Sequence, residues 1–416
     1  MTMTGLFDPA RHEPLQATPW DEDTARTAID RIVDAARLEY RPGEGWSTHP
    51  LDDPDGPGSV DRPLYHGAAG VLLALRHLAR AGGSAPGRPL PDALPLLARL
   101  REVNHAGVAD HRHGTASFLI GDVGMDLLLW TLQPGEALAQ RLHEAISGNL
   151  HNPVREALWG NAGTMLAAIF LAEATGEARW AALVRQAADA LEAELEVDPD
   201  TGTWVWVQNL YGRPAERMLG AGHGFAGNVH PFLRGAALLP AGQVARVTGQ
   251  ALATLQATAL RADGGANWLP AINPGRLDQK RLVQDCHGAP GIVCRLSTAP
   301  RTAAWDALLA EAGELTWFAG PLSKGPSLCH GTTGSALALH KLWLRTGDAV
   351  WRDRARALAL HAAGQVERQR RLHGQGRHSL WTGDLGVACV LQDCLLEARG
   401  GEGGEGRAGF PSLDHF

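Results

Sequence analysis

An all-α fold, an α/α toroid (barrel) of seven inner and seven outer helices, is the architecture this sequence predicts. Three observations carry it. A G-x-x-G element recurs seven times, each copy opens an apolar run of helical length, and an amphipathic segment separates successive runs. A helix that is apolar nearly all round has to be inside, and an amphipathic one has to cover it. Seven alternations of the two kinds close naturally into a ring, with the inner N-termini converging on one end. Glycines at those helix starts permit tight turns and close backbone approach.

The elements follow in order. Residues 1–20 are expected to be flexible. In 24–38, Ala25, Ala28, Ile29, Ile32, Val33 and Ala36 fall on one helix face, with Asp21 and Asp23 in front as capping residues. Residues 41–63, rich in Pro, Gly and Asp, read as a loop. HGAAG, ending at Gly70, opens the first inner run, VLLALRHLA. A loop over 81–92 leads to an outer segment at 91–103, and IGDVG at Gly124 opens MDLLLWTL. The pattern repeats with an outer segment at 136–147 and WGNAG at Gly163, then with 179–196 and HGFAG at Gly227. Between these last two, TWVWVQ at 203–208 alternates like a short strand and is expected in a hairpin beside the mouth of the ring. An outer segment at 242–261 and a loop at 263–280 precede HGAPG at Gly291. HGTTG at Gly334 follows 302–315, and TGDLG at Gly386 follows 349–370. The Gly-rich stretch 399–409 is expected to be flexible. The repeat makes 1–416 a single domain in spite of its length.

Composition narrows the function. A formal net charge of −7 gives no electrostatic footprint for nucleic acid and would be repelled by acidic membranes. No apolar run is long enough for a membrane span. The start MTMTGLFDPARHEP lacks a basic stretch followed by an apolar one, so no secretory signal is expected. Five cysteines, an odd number in a large chain, argue against a disulfide framework and for the cytoplasm.

Chemistry gathers just before the first glycine of each copy. Four copies carry His there: His66, His223, His287 and His330. Two of these add a cysteine, in Asp285-Cys286-His287 and Leu328-Cys329-His330. If the repeats superpose, these side chains share one mouth. Two thiolates and one imidazole, with His330 the better-placed histidine, suit Zn²⁺ and leave a fourth position open for water or substrate. A helix N-terminus favours thiolate over thiol. Cys294, Cys389 and Cys394 lie inside apolar helices and read as small hydrophobes. His111 and His113 sit in a polar loop and read as surface residues.

The segments LVQDCHGAPGIV (282–293) and LSKGPSLCHGTTGSALAL (322–339) resemble the two zinc motifs of the lanthionine-cyclase-like (LanC-like) family. The CHGAPG motif is nearest to its glutathione-adding branch. GAGHGFAGNV (220–229), EALWGNAG (156–163) and the ending GFPSLDHF resemble further blocks of that family, so the likeness runs through essentially the whole chain. The resemblance implies Cys286, Cys329 and His330 as zinc ligands, His223 as the active-site histidine, and Glu156 as an acidic residue hydrogen-bonding near it. It places His287 where relatives carry His or Tyr, as a proton donor. It also expects a basic residue four positions before the first zinc cysteine, where this chain has Leu282; Lys280 and Arg281 are the nearest cations. Asp285 stands where the common pattern has Trp, and a carboxylate there would alter zinc charge or substrate choice.

The activity so implied is zinc-dependent addition of a thiol to dehydroalanine or dehydrobutyrine, giving a thioether. The thiol is either a peptide's own cysteine or glutathione, and the acceptor is a dehydrated peptide or protein made by a separate dehydratase or kinase/lyase. Two alternatives remain at this stage: a non-catalytic binding scaffold, and a zinc prenyltransferase-like enzyme in which Asp285 joins the metal.

Overall fold

The computed structural model describes residues 2–52, 59–81, 92–109, 114–210, 215–272, 280–396 and 409–416. The Gly-rich 399–408, His111 and His113, and parts of the three loops expected at 41–63, 81–92 and 263–280 lie outside the described residues. Fourteen α-helices occur among them. They are α1 (Glu22–Leu38), α2 (Ala68–Arg80), α3 (Ala93–Val108), α4 (Asp122–Leu132), α5 (Glu136–Gly148), α6 (Asn161–Thr175), α7 (Ala178–Ala193), α8 (Phe225–Arg234), α9 (Ala241–Thr258), α10 (Ala289–Leu296), α11 (Ala303–Ala319), α12 (Thr332–Thr346), α13 (Ala349–His373) and α14 (Asp384–Leu396).

The even-numbered helices are the inner ones, and each starts at the first glycine of its G-x-x-G. Burial separates the two sets as the patterning requires. In α6 twelve of fifteen residues are buried, against six of seventeen in α1. The buried set of α1 includes Ala25, Ile29, Ile32, Val33 and Ala36, and its N-cap is Asp21, whose side chain accepts from the Thr24 N–H at 2.8 Å. No helix among the described residues is long and apolar enough to cross a membrane.

The chain closes on itself. α14 packs against α1 and α2. At six of the seven inner helix starts, the residue five before the second glycine takes part in a hydrogen-bonded circuit of backbone. Gly222 N–H donates to the Cys286 carbonyl (3.3 Å), Cys286 to Cys329 (3.2 Å), Cys329 to Trp381 (2.9 Å), Trp381 to Tyr65 (3.1 Å) and Tyr65 to Leu119 (3.0 Å). The last repeat is thereby tied to the first. The second glycines make this approach possible. A Cβ on Gly70 would meet the Leu64 carbonyl oxygen at 2.1 Å and the Leu380 Cβ at 3.1 Å, and one on Gly334 would meet the Leu328 carbonyl at 2.4 Å and the Asp285 Cβ at 2.9 Å. Any larger residue would push the neighbouring repeat away.

Two antiparallel hairpins decorate the helices: β1 (Glu196–Val197) with β2 (Trp204–Val205), and β3 (Leu260–Ala262) with β4 (Gly265–Asn267). The first takes only part of the TWVWVQ segment into a strand.

The N-terminal segment corrects an expectation. Residues 2–20 are docked rather than loose. Leu6 is fully buried, Phe7 packs edge-on against Phe318, and the Leu6 carbonyl accepts from Asn267 Nδ2 at 2.8 Å. Glu13 accepts from His361 (2.7 Å) and Arg368 (2.6 Å) on α13. Polar composition hid a few apolar anchors and one well-placed carboxylate.

Candidate metal centre

Cys286 and Cys329 occupy the same place in successive repeats, one residue before the inner-helix loop turns. The backbone circuit holds them side by side at the helix N-terminal end of the ring. Their sulfurs and a ring nitrogen of His330 all lie within 4.8 Å of one another, the one such His/Cys/Asp/Glu cluster among the described residues. Cys329 Sγ stands 3.6 Å from His330 Nε2. Both cysteines are 4 % exposed. Burial, with Cys286 alongside, pushes the Cys329 thiol well above its usual range. Two buried sulfurs at this separation cannot both ionise unless a cation joins them, so the donor set fits a soft divalent metal.

The cluster opens on a cavity of about 180 Å³. His223 and His287 stand on its wall with ring centroids 6.3 Å apart. Glu156 lies beneath, completely buried. Its Oε2 accepts from His223 Nδ1 (2.9 Å) and from the Leu158 N–H (3.0 Å), and its Oε1 accepts from the Trp159 N–H (2.6 Å). Burial lowers the pKa of His223, but the Glu156 carboxylate, helped by Cys329, more than reverses this, and the net shift is upward. His287 is pushed down to about 4 by burial and by the neighbouring His223 and His330. Its Nδ1 is buried without a partner among the described residues.

Several candidates sit elsewhere than expected. His66 does not share the mouth with the other three histidines. It turns away to within 3.5 Å of Asp61, in a separate cleft with His49 and Arg377. The residue one position earlier lines the cavity in every repeat, and in the first repeat that residue is Tyr65, with His66 turned out of the cavity. Lys280 is exposed, and Arg281 donates to the Gly5 carbonyl of the docked N-terminus; neither lines the cavity. Asp285 lies at the cavity floor, but both its oxygens are taken by the buried Arg295, at 3.0 and 2.9 Å. Its charge is neutralised there and its carboxylate does not join the cluster, which removes the ground for a prenyltransferase-like Asp-Cys-His site.

Four contributors were not foreseen. Tyr65 Oη donates to Cys329 Sγ at 2.8 Å, and Gln284 Nε2 donates to Cys286 Sγ at 2.9 Å. Trp381 stacks on Tyr65 with ring centroids 6.0 Å apart. Its indole N–H donates to Ser412 Oγ (3.0 Å), fixing the C-terminal tail whose Ser412 and Leu413 line the cavity. Tyr65 and Trp381 had a sequence signal: in YHGAAG and WTGDLG they stand where Cys286 and Cys329 stand in CHGAPG and CHGTTG. The tail was marked only by the likeness of GFPSLDHF to a family block, and Gln284 had no signal.

A closed ring of paired helices with a buried two-cysteine, one-histidine cluster at its helix-start end defines an α/α toroid built around a candidate metal centre. The sequence model of the family described as "Lanthionine synthetase C-like protein" matches residues 58–399, and the chain belongs to that family. LanC-like protein GCL1 of Arabidopsis thaliana is 32 % identical over 122 residues, 28 % of this chain and 28 % of that one. Glutathione S-transferase LANCL1 of Danio rerio is 30 % identical over 196 residues, 44 % of each chain. Both alignments thus span less than half of the relative's length. The solved structure of nisin cyclase superposes with a TM-score of 0.60 at 12 % identity, covering 90 % of this chain and 94 % of that chain, which is a likeness of fold.

Proposed function

We propose that this protein adds a thiol to a dehydroalanine or dehydrobutyrine residue, forming a thioether, with zinc held by Cys286, Cys329 and His330. The observation that carries the reading is the cluster itself: three ligand atoms within 4.8 Å, all from one end of the ring and facing a cavity. Tetrahedral zinc with Zn–S near 2.3 Å and Zn–N near 2.0 Å separates its ligand atoms by about 3.5–3.8 Å, which this set can meet with small shifts. A zinc ion held by Cys286, Cys329 and His330 would leave one position open and would acidify a thiol there.

The chain's own residues do the rest. The Glu156 carboxylate takes the Nδ1 proton of His223 as a hydrogen bond, which leaves Nε2 as the working nitrogen. His223 Nε2 accepts the thiol proton. The sulfur attacks the β-carbon, the C=C pair moves onto the carbonyl as an enolate, and His223 returns the proton to the α-carbon, so that protons balance. Its raised pKa keeps it able to hold a proton near neutral pH. His287, with its pKa near 4, is neutral and helps shape the wall; the acid role falls to His223.

The thiol is either a cysteine of the same peptide, giving a ring, or glutathione, the thiol named in the Danio rerio relative. The acceptor comes from a separate dehydrating enzyme. The test is mass analysis of a dehydroalanine peptide incubated with glutathione, or carrying its own cysteine, alongside elemental analysis of the protein. Zinc near one per chain and a thioether product support the reading. A metal-free protein, or product formation unchanged in Cys286→Ala, would overturn it.

A further inference from the structure

Leaving aside His330 of the cluster itself, each sulfur has one side-chain hydrogen-bond donor among the described residues. Tyr65 Oη serves Cys329, and Gln284 Nε2 serves Cys286, at 2.8 and 2.9 Å. Tyr65 is held by more than its bond to sulfur. The backbone circuit passes through Tyr65 in both directions, to Trp381 and to Leu119, and its ring stacks on Trp381 at an interplanar angle of 26°. The Gln284 side chain aims its nitrogen at the sulfur although its Oε1 then has no partner among the described residues. An amide beside a neutral thiol would do better to turn its oxygen to the S–H; this orientation suits an anionic sulfur.

We propose that Tyr65 and Gln284 are positioning residues that draw electron density from the two protein sulfurs, so that the incoming thiol is the only undamped sulfur at the centre and the only one alkylated. The inference rests on the thiol-adding reading above. Its logic is competition. Once a substrate thiol enters, three sulfurs surround one cavity that also holds a strong electrophile, and attack by Cys286 or Cys329 would destroy the site. A hydrogen bond to a thiolate makes it less basic, and nucleophilicity follows basicity with a slope of about 0.4–0.5. A bond that lowers a sulfur's basicity by about two powers of ten therefore slows its alkylation about tenfold. The third sulfur arrives with the substrate and finds both donors already engaged.

The test uses cobalt(II) in the full-length protein, with Tyr65→Phe and Gln284→Met made singly. Sulfur-to-cobalt charge-transfer bands are expected to move to lower energy in each variant. With metal bound, iodoacetamide should alkylate Cys329 about tenfold faster in Tyr65→Phe and Cys286 about tenfold faster in Gln284→Met, resolved by peptide mass. Selectivity for the bonded sulfur is the signature, since a general loosening would expose both cysteines alike. Unmoved bands and unchanged alkylation in both variants, at wild-type metal content, would overturn the proposal. A wild-type protein with no sulfur-to-cobalt band would instead overturn the metal reading on which it rests, and the proposal with it.

Discussion

Two arcs of the same ring can be compared position by position. On one arc the residue five before the second glycine is Gly222, Cys286, Cys329, Trp381 and Tyr65 in turn, and backbone N–H groups pass from each to the next without a break, ending at Leu119. On the other arc, from Leu119 through Leu158 to Gly222, side chains replace that circuit. Ser117 Oγ donates to the Leu158 carbonyl at 2.5 Å, and the Leu158 N–H turns to Glu156 instead. The continuous arc carries the sulfurs. The interrupted arc frees a buried carboxylate, and that carboxylate holds His223. A seven-fold repeat supplies equivalent places; breaking the equivalence once is what brings the Glu156–His223 pair beside the cysteine–histidine cluster.

The largest expected effect tests the continuous arc. Cys286→Ala should lose both metal, by elemental analysis, and thioether formation, with the fold preserved by circular dichroism, because the backbone circuit does not use the sulfur. A variant that keeps a full complement of metal would show that the arc is structural only.

His223→Asn separates the arcs. Metal content should stay at the wild-type level while turnover falls on the order of 10²–10⁴-fold, the usual worth of a general acid–base group. Loss of metal as well would make His223 a ligand and merge the two arcs into one closed site.

Glu156→Gln should have a smaller effect and a distinctive one. The carboxylate is what raises the pKa of His223 against the pull of burial. Without it His223 loses its own proton at lower pH and is free to accept the thiol proton there, so the acid limb of the pH–rate profile should move to lower pH. A profile that falls in height without moving would reduce Glu156 to a cap for the Leu158 and Trp159 N–H groups.

Leu119→Ala, on the interrupted arc, should leave metal content unchanged and cost about 2 kcal/mol of stability in denaturant unfolding, near the low end for a buried leucine because the side chain partly faces the cavity. A charge remote from both arcs gives the last control. Burial pushes the Asp393 carboxyl up to about 6, against His340, which lowers it. Its folded pKa is raised above 3.8, so the contribution to stability is present below about pH 4 and is lost as pH rises through about 6. Asp393→Asn should flatten that slope and stabilise the protein at pH 8 by up to about 3 kcal/mol, read as an upward shift in Tm. Metal content should not respond.

Sequence by itself determined the ring and its chemistry-bearing positions. Recurrence of G-x-x-G before apolar runs is a local signal, because a helix start, its glycines and its apolar faces are all written within a dozen residues. For that reason all seven inner helices, their outer partners and the Cys286–Cys329–His330 set could be read directly. Tertiary structure alone decided what depends on neighbours in space. It turned His66 toward Asp61 and put Tyr65 in the place facing the sulfurs, a choice between adjacent residues that a loop's exit angle makes. It paired Asp285 with Arg295, ten residues on and in the last turn of α10, and so cancelled a charge that looked free in the chain. It docked residues 2–20 through Leu6 and Glu13 onto partners hundreds of positions away. Periodicity carries information about which face a residue occupies, but not about which distant side chain will meet it there, and buried charges are settled by that meeting.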